Sequence, residues 1–199
     1  MARILAFAGS ARRDSLNKKL ARAAAQFARE AGAEATFVDL DDYPIPLFHA
    51  DLESASGMPE NAVKLRELFL SHDALLIASP ENNSSMTALL KNTIDWLSRE
   101  VGDGKGDGAG LAPWRGKVAG LMAASPGAFG GVRALPHLRQ VLAGLGVTVI
   151  GTQVAVPRAH EAFATDGSIA EARAARAVAA LAAAVAQASL RLVGDELMR

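Results

Sequence analysis

Polar residues whose side chains could bind a ligand are concentrated in a short segment that follows the first apolar run of the chain. This first loop, residues 9–17, contains Ser10, Arg12, Ser15 and Asn17 and opens onto a predicted helix. Unpaired backbone N–H groups at a helix start favour anions, and hydroxyl and amide side chains add further donors around a phosphate. The segment therefore predicts a phosphate site.

The kind of phosphate is narrowed by what this loop lacks. It has no Gly-Lys-Ser/Thr ending of a nucleoside-triphosphate loop, and it lacks the three-glycine spacing of a dinucleotide fingerprint. A terminal monophosphate therefore fits better than ATP or a Rossmann-bound NAD. The alternative interpretation is that Gly9-Ser10 is an ordinary turn and that Ser15 only caps the helix, since serine is a preferred N-cap residue.

Two further loops also follow apolar strands. The second loop, residues 80–85, reads Pro-Glu-Asn-Asn-Ser-Ser, and the third loop, residues 125–131, reads Ser-Pro-Gly-Ala-Phe-Gly-Gly. Taken alone, the second could be a plain connection to a helix capped by Ser84 or Ser85, and the glycines of the third could be turn residues. Because ligands of parallel sheets bind outside the carboxyl ends of the strands, we expect all three loops to share one site.

Strand and helix patterns alternate along the whole chain. Apolar runs predict five strands, at residues 2–8, 35–40, 73–79, 117–125 and 147–156. Three- and four-residue apolar spacing predicts helices at residues 15–31, 60–71, 86–99, 135–145 and 169–192. The alternation indicates an α/β fold with a three-layer, doubly wound, parallel five-stranded sheet, although it does not fix the strand order.

Two connections stand out by length or composition. Residues 41–59 predict a long irregular connection, which suggests a functional rim. Every second residue between Gly102 and Gly110 is glycine, which predicts a flexible surface loop. Because this loop follows a helix, we expect it to lie away from the chemistry.

Bulk properties exclude several classes of function. The 199 residues are 50% hydrophobic, which suits one domain over residues 1–199. Lys plus Arg and Asp plus Glu both number 21, so no net field favours nucleic acid or an anionic membrane. The chain has no cysteine, so any redox chemistry would have to come from a bound cofactor. No apolar run looks long enough to span a bilayer, and we expect a cytoplasmic protein.

Catalytic side chains are not indicated either. The four histidines are dispersed without a ligand-like spacing to carboxylates, so we predict no metal site. Ser10 and Ser15 have no His/Asp arrangement near them in the sequence, and a Gly-x-Ser-x-Gly elbow is absent, which argues against hydrolysis.

The three loops together resemble a known family, the NADPH-dependent FMN reductases, and in particular its quinone, azo-dye and chromate reductases. The resemblance runs from Arg3 to about Val156. The family pattern Gly-Ser-x-Arg-x-x-Ser-x-Asn is matched in the first loop, and Pro-Glu-x-Asn-x-Ser is matched in the second, followed by the run from Leu90 to Arg99. The third loop, continued by Arg133, also looks like the family's segment beside the flavin.

The resemblance implies a flavodoxin-like fold, bound FMN, and NADPH or NADH as hydride donor. It further implies a small-molecule electron acceptor, such as a quinone, azo compound, metal oxyanion or free flavin, and a homodimer or homotetramer. No side chain need act as nucleophile or base. The residues expected to bind the cofactor are Ser10, Arg12, Ser15, Leu16, Asn17, Pro80, Glu81, Asn82, Asn83, Ser84, Ser125, Gly127, Gly130 and Gly131.

One departure from the family pattern keeps alternatives open. Many relatives have tyrosine where this chain has Asn82, which puts in doubt any stacking or inter-subunit contact that the tyrosine would supply. A flavodoxin-type electron carrier is one alternative, although flavodoxins tend to be shorter and acidic. A flavin-free binding or regulatory protein that keeps the fold is the other.

Overall fold

Five apolar runs form one parallel sheet in the computed structural model, which describes residues 1–100 and 109–196. The strands are β1 Arg3–Ala8, β2 Glu34–Asp39, β3 Ala74–Ala78, β4 Val118–Ala124 and β5 Thr148–Val156. Their order is β2-β1-β3-β4-β5, and each neighbouring pair is parallel. This order is the flavodoxin-like one, so the predicted fold class is confirmed.

Helices connect and cover these strands. They are α1 Leu16–Glu30, α2 Ala50–Ser56, α3 Glu60–Leu70, α4 Ala88–Leu97, α5 Ala134–Gly144, α6 Ala159–Ala162 and α7 Ala172–Glu196. The sequence did not indicate α2, which lies in the stretch predicted to be irregular. This helix has no buried residue, so it carries no apolar spacing that could reveal it. Most of the predicted 102–110 loop, through residue 108, lies outside the described residues.

Alternate residues of the strands face two separate cores, as the two-residue period of a strand requires. In β1, Ile4 and Ala6 pack with α1 and α7 on one face of the sheet. Leu5 and Phe7 pack with α3, α4 and α5 on the other face. Both faces of the sheet are therefore covered, which explains why its strands read as nearly continuous apolar runs.

Both ends of α1 are fixed by local chemistry. The Ser15 hydroxyl accepts a hydrogen bond from the Lys18 backbone N–H at 3.3 Å, which caps the start of the helix. Gly32 lies just beyond the last turn with φ +85°, a left-handed conformation that glycine adopts without steric cost. The helix therefore starts directly after the first loop and places that loop at the carboxyl edge of the sheet.

The last helix, α7, is apolar enough over Ala172–Leu192 to cross a membrane by length and composition. This differs from the expectation that no run would be long enough. Val178, Leu181 and Val185 of this helix are nevertheless buried in the core that contains α1 and the sheet. The apolar stripe is thus used to cover one face of the sheet.

Candidate functional site

The main candidate site is an open cavity at the carboxyl edge of the sheet, next to β1 and β3. Strand order reverses at this point, and ligands of doubly wound sheets bind there. The cavity volume is about 480 Å³, within the range of ~300–1,000 Å³ that is usual for small-molecule sites. Nine of the predicted binding residues line it: Ser10, Arg12, Ser15, Leu16, Asn17, Pro80, Glu81, Asn82 and Ser125.

The start of α1 forms one wall of this cavity. The Ser15 cap engages the backbone N–H of Lys18, the third residue of the helix. The backbone N–H groups of Leu16 and Asn17 belong to the first turn, where N–H groups have no carbonyl acceptor within the helix. Capping by Ser15 and anion binding at the helix start are therefore compatible, because they use different donors.

Asn17 links the first loop to the end of β4. Its Nδ2 donates to the Ala124 carbonyl oxygen at 2.8 Å, and its Oδ1 accepts from the Ala124 backbone N–H at 2.9 Å. The side chain is only 4% exposed, and Ala124 is also buried. The Asn17 amide therefore holds the start of the third loop beside α1, a contact between residues that lie far apart in the sequence.

Glu81 links the second and third loops. Its carboxylate accepts from Arg133 Nε at 2.7 Å and from the Arg133 backbone N–H at 2.9 Å. The Glu81 side chain is only 8% exposed. The side-chain hydrogen bond from Arg133 lowers the pKa of Glu81, and it outweighs burial, which acts to raise that pKa. A charged, paired Glu81 is thus part of the cavity wall.

The rest of the second loop is a tight hairpin. The backbone N–H and carbonyl groups of Asn82 and Ser85 bond reciprocally at 3.0 Å. Asn83 and Ser84, between them, have φ of 51° and 64°, the left-handed values of a two-residue hairpin turn. Such a conformation is strained for serine. Asn83 and Ser84 form the tip of the hairpin and do not line the cavity.

Two glycines of the third loop, Gly130 and Gly131, pack closely against other residues of the protein. A Cβ at Gly130 would lie 2.7 Å from the Pro157 nitrogen, and a Cβ at Gly131 would lie 2.9 Å from the Ala123 Cβ. Both residues have positive φ. Gly127, Gly130 and Gly131 are absent from the cavity lining. Close packing accounts for Gly130 and Gly131, whereas a Cβ at Gly127 would meet only the Ser125 Oγ at 3.6 Å, an ordinary contact.

The sequence reasoning missed Thr87, which lines the cavity at the start of α4. Its Oγ1 donates to the Gly9 carbonyl oxygen at 2.7 Å and accepts from the Leu90 backbone N–H at 3.2 Å. A threonine just before a helix is a recognisable N-cap, so its capping role was open to prediction. Its hydrogen bond to Gly9 could not be predicted, because the two residues lie far apart in the sequence. The remaining residues of the lining that were not predicted are Gly9, Ala11, Ala88, Leu89, Ala124 and Pro126.

Comparisons with known proteins match this geometry. The family model described as NADPH-dependent FMN reductase matches residues 2–161. A 2-hydroxy-1,4-benzoquinone reductase from a Burkholderia species is 37% identical over 148 residues, covering 74% of each chain. An NAD(P)H-dependent FMN reductase from Pseudomonas aeruginosa is 37% identical over 169 residues, covering 84% of each.

A solved structure extends the likeness to the whole fold. The flavoenzyme NAD(P)H:(acceptor) oxidoreductase FerB from Paracoccus denitrificans superposes with a TM-score of 0.79 at 28% identity. The superposition covers 96% of this chain and 98% of that one. The likeness thus includes α7, which lies beyond the part matched by the family model.

We predict that Asn17→Ala destabilises the protein through Ala124. Two buried backbone groups lose their partner, and each unsatisfied group costs about 1–3 kcal/mol. Urea unfolding should show a correspondingly lower free energy of unfolding. The control is Asn61→Ala, because the Asn61 amide makes one exposed bond to the Pro44 carbonyl; its loss should stay within about 0.5 kcal/mol. Equal losses for the two variants would contradict the assigned role of Asn17.

The ion pair of Glu81 predicts a pH-dependent stability. Because the folded pKa is lowered from the ordinary 4.5, the stabilisation is fully present above that pH and is lost as the pH falls through the folded pKa. The melting temperature of the wild type should exceed that of Glu81→Gln at neutral pH, and the difference should shrink in acid. Glu60→Gln, which removes an exposed pair with Lys64, should show a smaller difference. If the difference in melting temperature between the wild type and Glu81→Gln is the same at every pH, the ion pair is not its cause.

Proposed function

The chain belongs to the NADPH-dependent FMN reductase family, and from that premise we propose that its cavity binds FMN and serves reduction of a small acceptor by NAD(P)H. The chain is an FMN-dependent NAD(P)H oxidoreductase of the type that includes quinone reductases. The observation that carries the proposal is the convergence of all three loops on one cavity at the point where strand order reverses.

The residues at the start of α1 fit a monophosphate. Leu16 and Asn17 supply backbone N–H groups, and the helix dipole favours negative charge there. Arg12 lines the same wall and supplies a full positive charge, and Ser10 adds a hydroxyl. We therefore assign the phosphate of FMN to this wall. The Asn17 side chain contributes indirectly, because it holds the wall against Ala124.

The second and third loops fit the flat part of the cofactor. Pro80, Asn82, Ser125 and Pro126 line the cavity with compact groups. The reciprocal bonds of Asn82 and the ion pair of Glu81 hold the second loop in one conformation. A preformed wall reduces the entropy lost when a planar ligand binds.

FMN held by these residues would supply the redox chemistry, which is hydride transfer from the nicotinamide followed by electron transfer to the acceptor. The chain's own residues bind and orient the reactants and shape the open side of the cavity. No side chain is assigned a role as nucleophile or general base.

We extend the proposal to assembly and location. A homodimer or homotetramer is supported by the groove between α4 and α5, which borders the second loop and combines apolar residues such as Met86 and Val141 with polar ones such as Lys91 and His137. A cytoplasmic location is supported by dependence on NAD(P)H, which is a cytoplasmic reductant. The acceptor class is a quinone or related small molecule, as the name of the Burkholderia relative states for that protein.

The test is anaerobic titration of the purified protein after incubation with FMN and removal of free flavin. We predict a yellow protein that NADPH or NADH bleaches and that a benzoquinone then restores to yellow. A protein that retains no FMN would overturn the cofactor assignment. A yellow protein that neither nucleotide bleaches would instead support the electron carrier.

A further inference from the structure

The third loop exposes an aromatic ring beside the cavity. Phe129 is 66% exposed. Among residues 1–100 and 109–196 it is the one Phe, Tyr or Trp side chain that is mostly exposed. It lies three residues beyond Pro126, which lines the cavity. Because a phenyl ring gains free energy when it leaves water, the exposed ring offers an apolar contact to a ligand.

The ring is in contact with a cation. The guanidinium carbon of Arg133 lies 5.3 Å from the centre of the Phe129 ring, which is cation–π distance. The same guanidinium bonds to Glu81, whose carboxylate is part of the cavity wall. Two successive contacts therefore connect the ring to the wall.

The backbone around Phe129 is also fixed. Its carbonyl accepts from the Val132 backbone N–H at 3.1 Å. The Gly127 carbonyl accepts from the backbone N–H groups of Gly130 and Arg158, both at 3.3 Å. The close approach of Gly130 to Pro157 leaves no room for a shift of the loop toward β5. The exposed ring thus has a defined position, and little entropy is lost when a ligand contacts it.

The second loop offers no aromatic group. The second loop contributes Asn82, Asn83 and Ser84, which are all polar. Among the three loops, Phe129 is therefore the one aromatic residue that a planar apolar acceptor could contact.

We infer that Phe129 is a specificity-determining residue that stacks on planar aromatic acceptors, and that Glu81 and Arg133 are positioning residues that hold its ring at the cavity mouth. The inference rests on the proposed function, because the acceptor is a substrate of that reaction. The stacking contact itself can be measured as binding, without turnover. Aromatic pairs are worth about 0.5–1.5 kcal/mol, which corresponds to about 2- to 12-fold in an equilibrium constant.

The first experiment compares two acceptors in steady-state kinetics with NADPH. For a naphthoquinone, Phe129→Leu should raise KM by about 2- to 12-fold with little change in kcat. Phe129→Tyr should keep the wild-type KM. For ferricyanide, which has no ring to stack, both variants should match the wild type. Glu81→Gln should raise KM for the naphthoquinone in the same direction.

The control is Leu190→Ala, which removes an exposed apolar side chain from α7. It should leave both acceptors unaffected. Equal losses with naphthoquinone and ferricyanide in Phe129→Leu would overturn the inference. So would unchanged KM together with a changed oligomeric state in size-exclusion chromatography, because Phe129 would then be a subunit contact.

A second experiment keeps the two proposals separate. Naphthoquinone binding to the FMN-loaded protein, measured by calorimetry without any reductant, should be weaker in Phe129→Leu than in the wild type and in Phe129→Tyr. If the wild type binds the quinone in this way but no nucleotide drives turnover, only the proposed function fails. If Phe129→Leu binds it as tightly as the wild type does, the stacking role is wrong.

Discussion

The reciprocal pair of hydrogen bonds between Asn17 and Ala124 is the constraint on which the candidate site depends. The first loop follows β1 and the third follows β4, and β3 lies between these strands in the sheet. The Asn17 amide spans this gap with two buried bonds. The bond from Thr87 to Gly9 and the ion pair of Glu81 with Arg133 then add the second loop and α4. Together they make one cavity out of segments that are distant in sequence.

Much of the fold could be predicted from sequence because its physical causes are local. Strands buried on both faces read as apolar runs, and α1 is bounded by a serine cap and a left-handed glycine. The strand order could not be derived from the alternation alone, because it depends on which strands pair, and it was expected only through the family resemblance. The helix α2 was not predicted because Leu52 is its one residue packed against the core, and that residue is only partly buried.

In the candidate site, too, local features could be predicted from the sequence and long-range contacts could not. The position of the first loop and the capping role of Ser15 follow from residues within a few positions of each other. The partner of Asn17 is 107 residues away, and the partner of Glu81 is 52 residues away. No spacing rule could identify either partner from one sequence. Gly130 and Gly131 stay predictions as ligand-binding residues, and their close contacts with Pro157 and Ala123, which the sequence could not indicate, give a packing reason for glycine at both positions.

In the proposed function, the wall formed by the start of α1 and Arg12 binds the phosphate of FMN. Calorimetry with FMN and with riboflavin tests it most directly, because the two ligands differ only in that phosphate. Charge-assisted hydrogen bonds contribute about 1.5–3 kcal/mol each, so two such bonds to the phosphate should make FMN bind at least about 100-fold tighter than riboflavin. Arg12→Ala should narrow this gap, and Arg13→Ala, a neighbour outside the cavity lining, should not. Equal affinities for FMN and riboflavin in the wild-type protein would contradict the account.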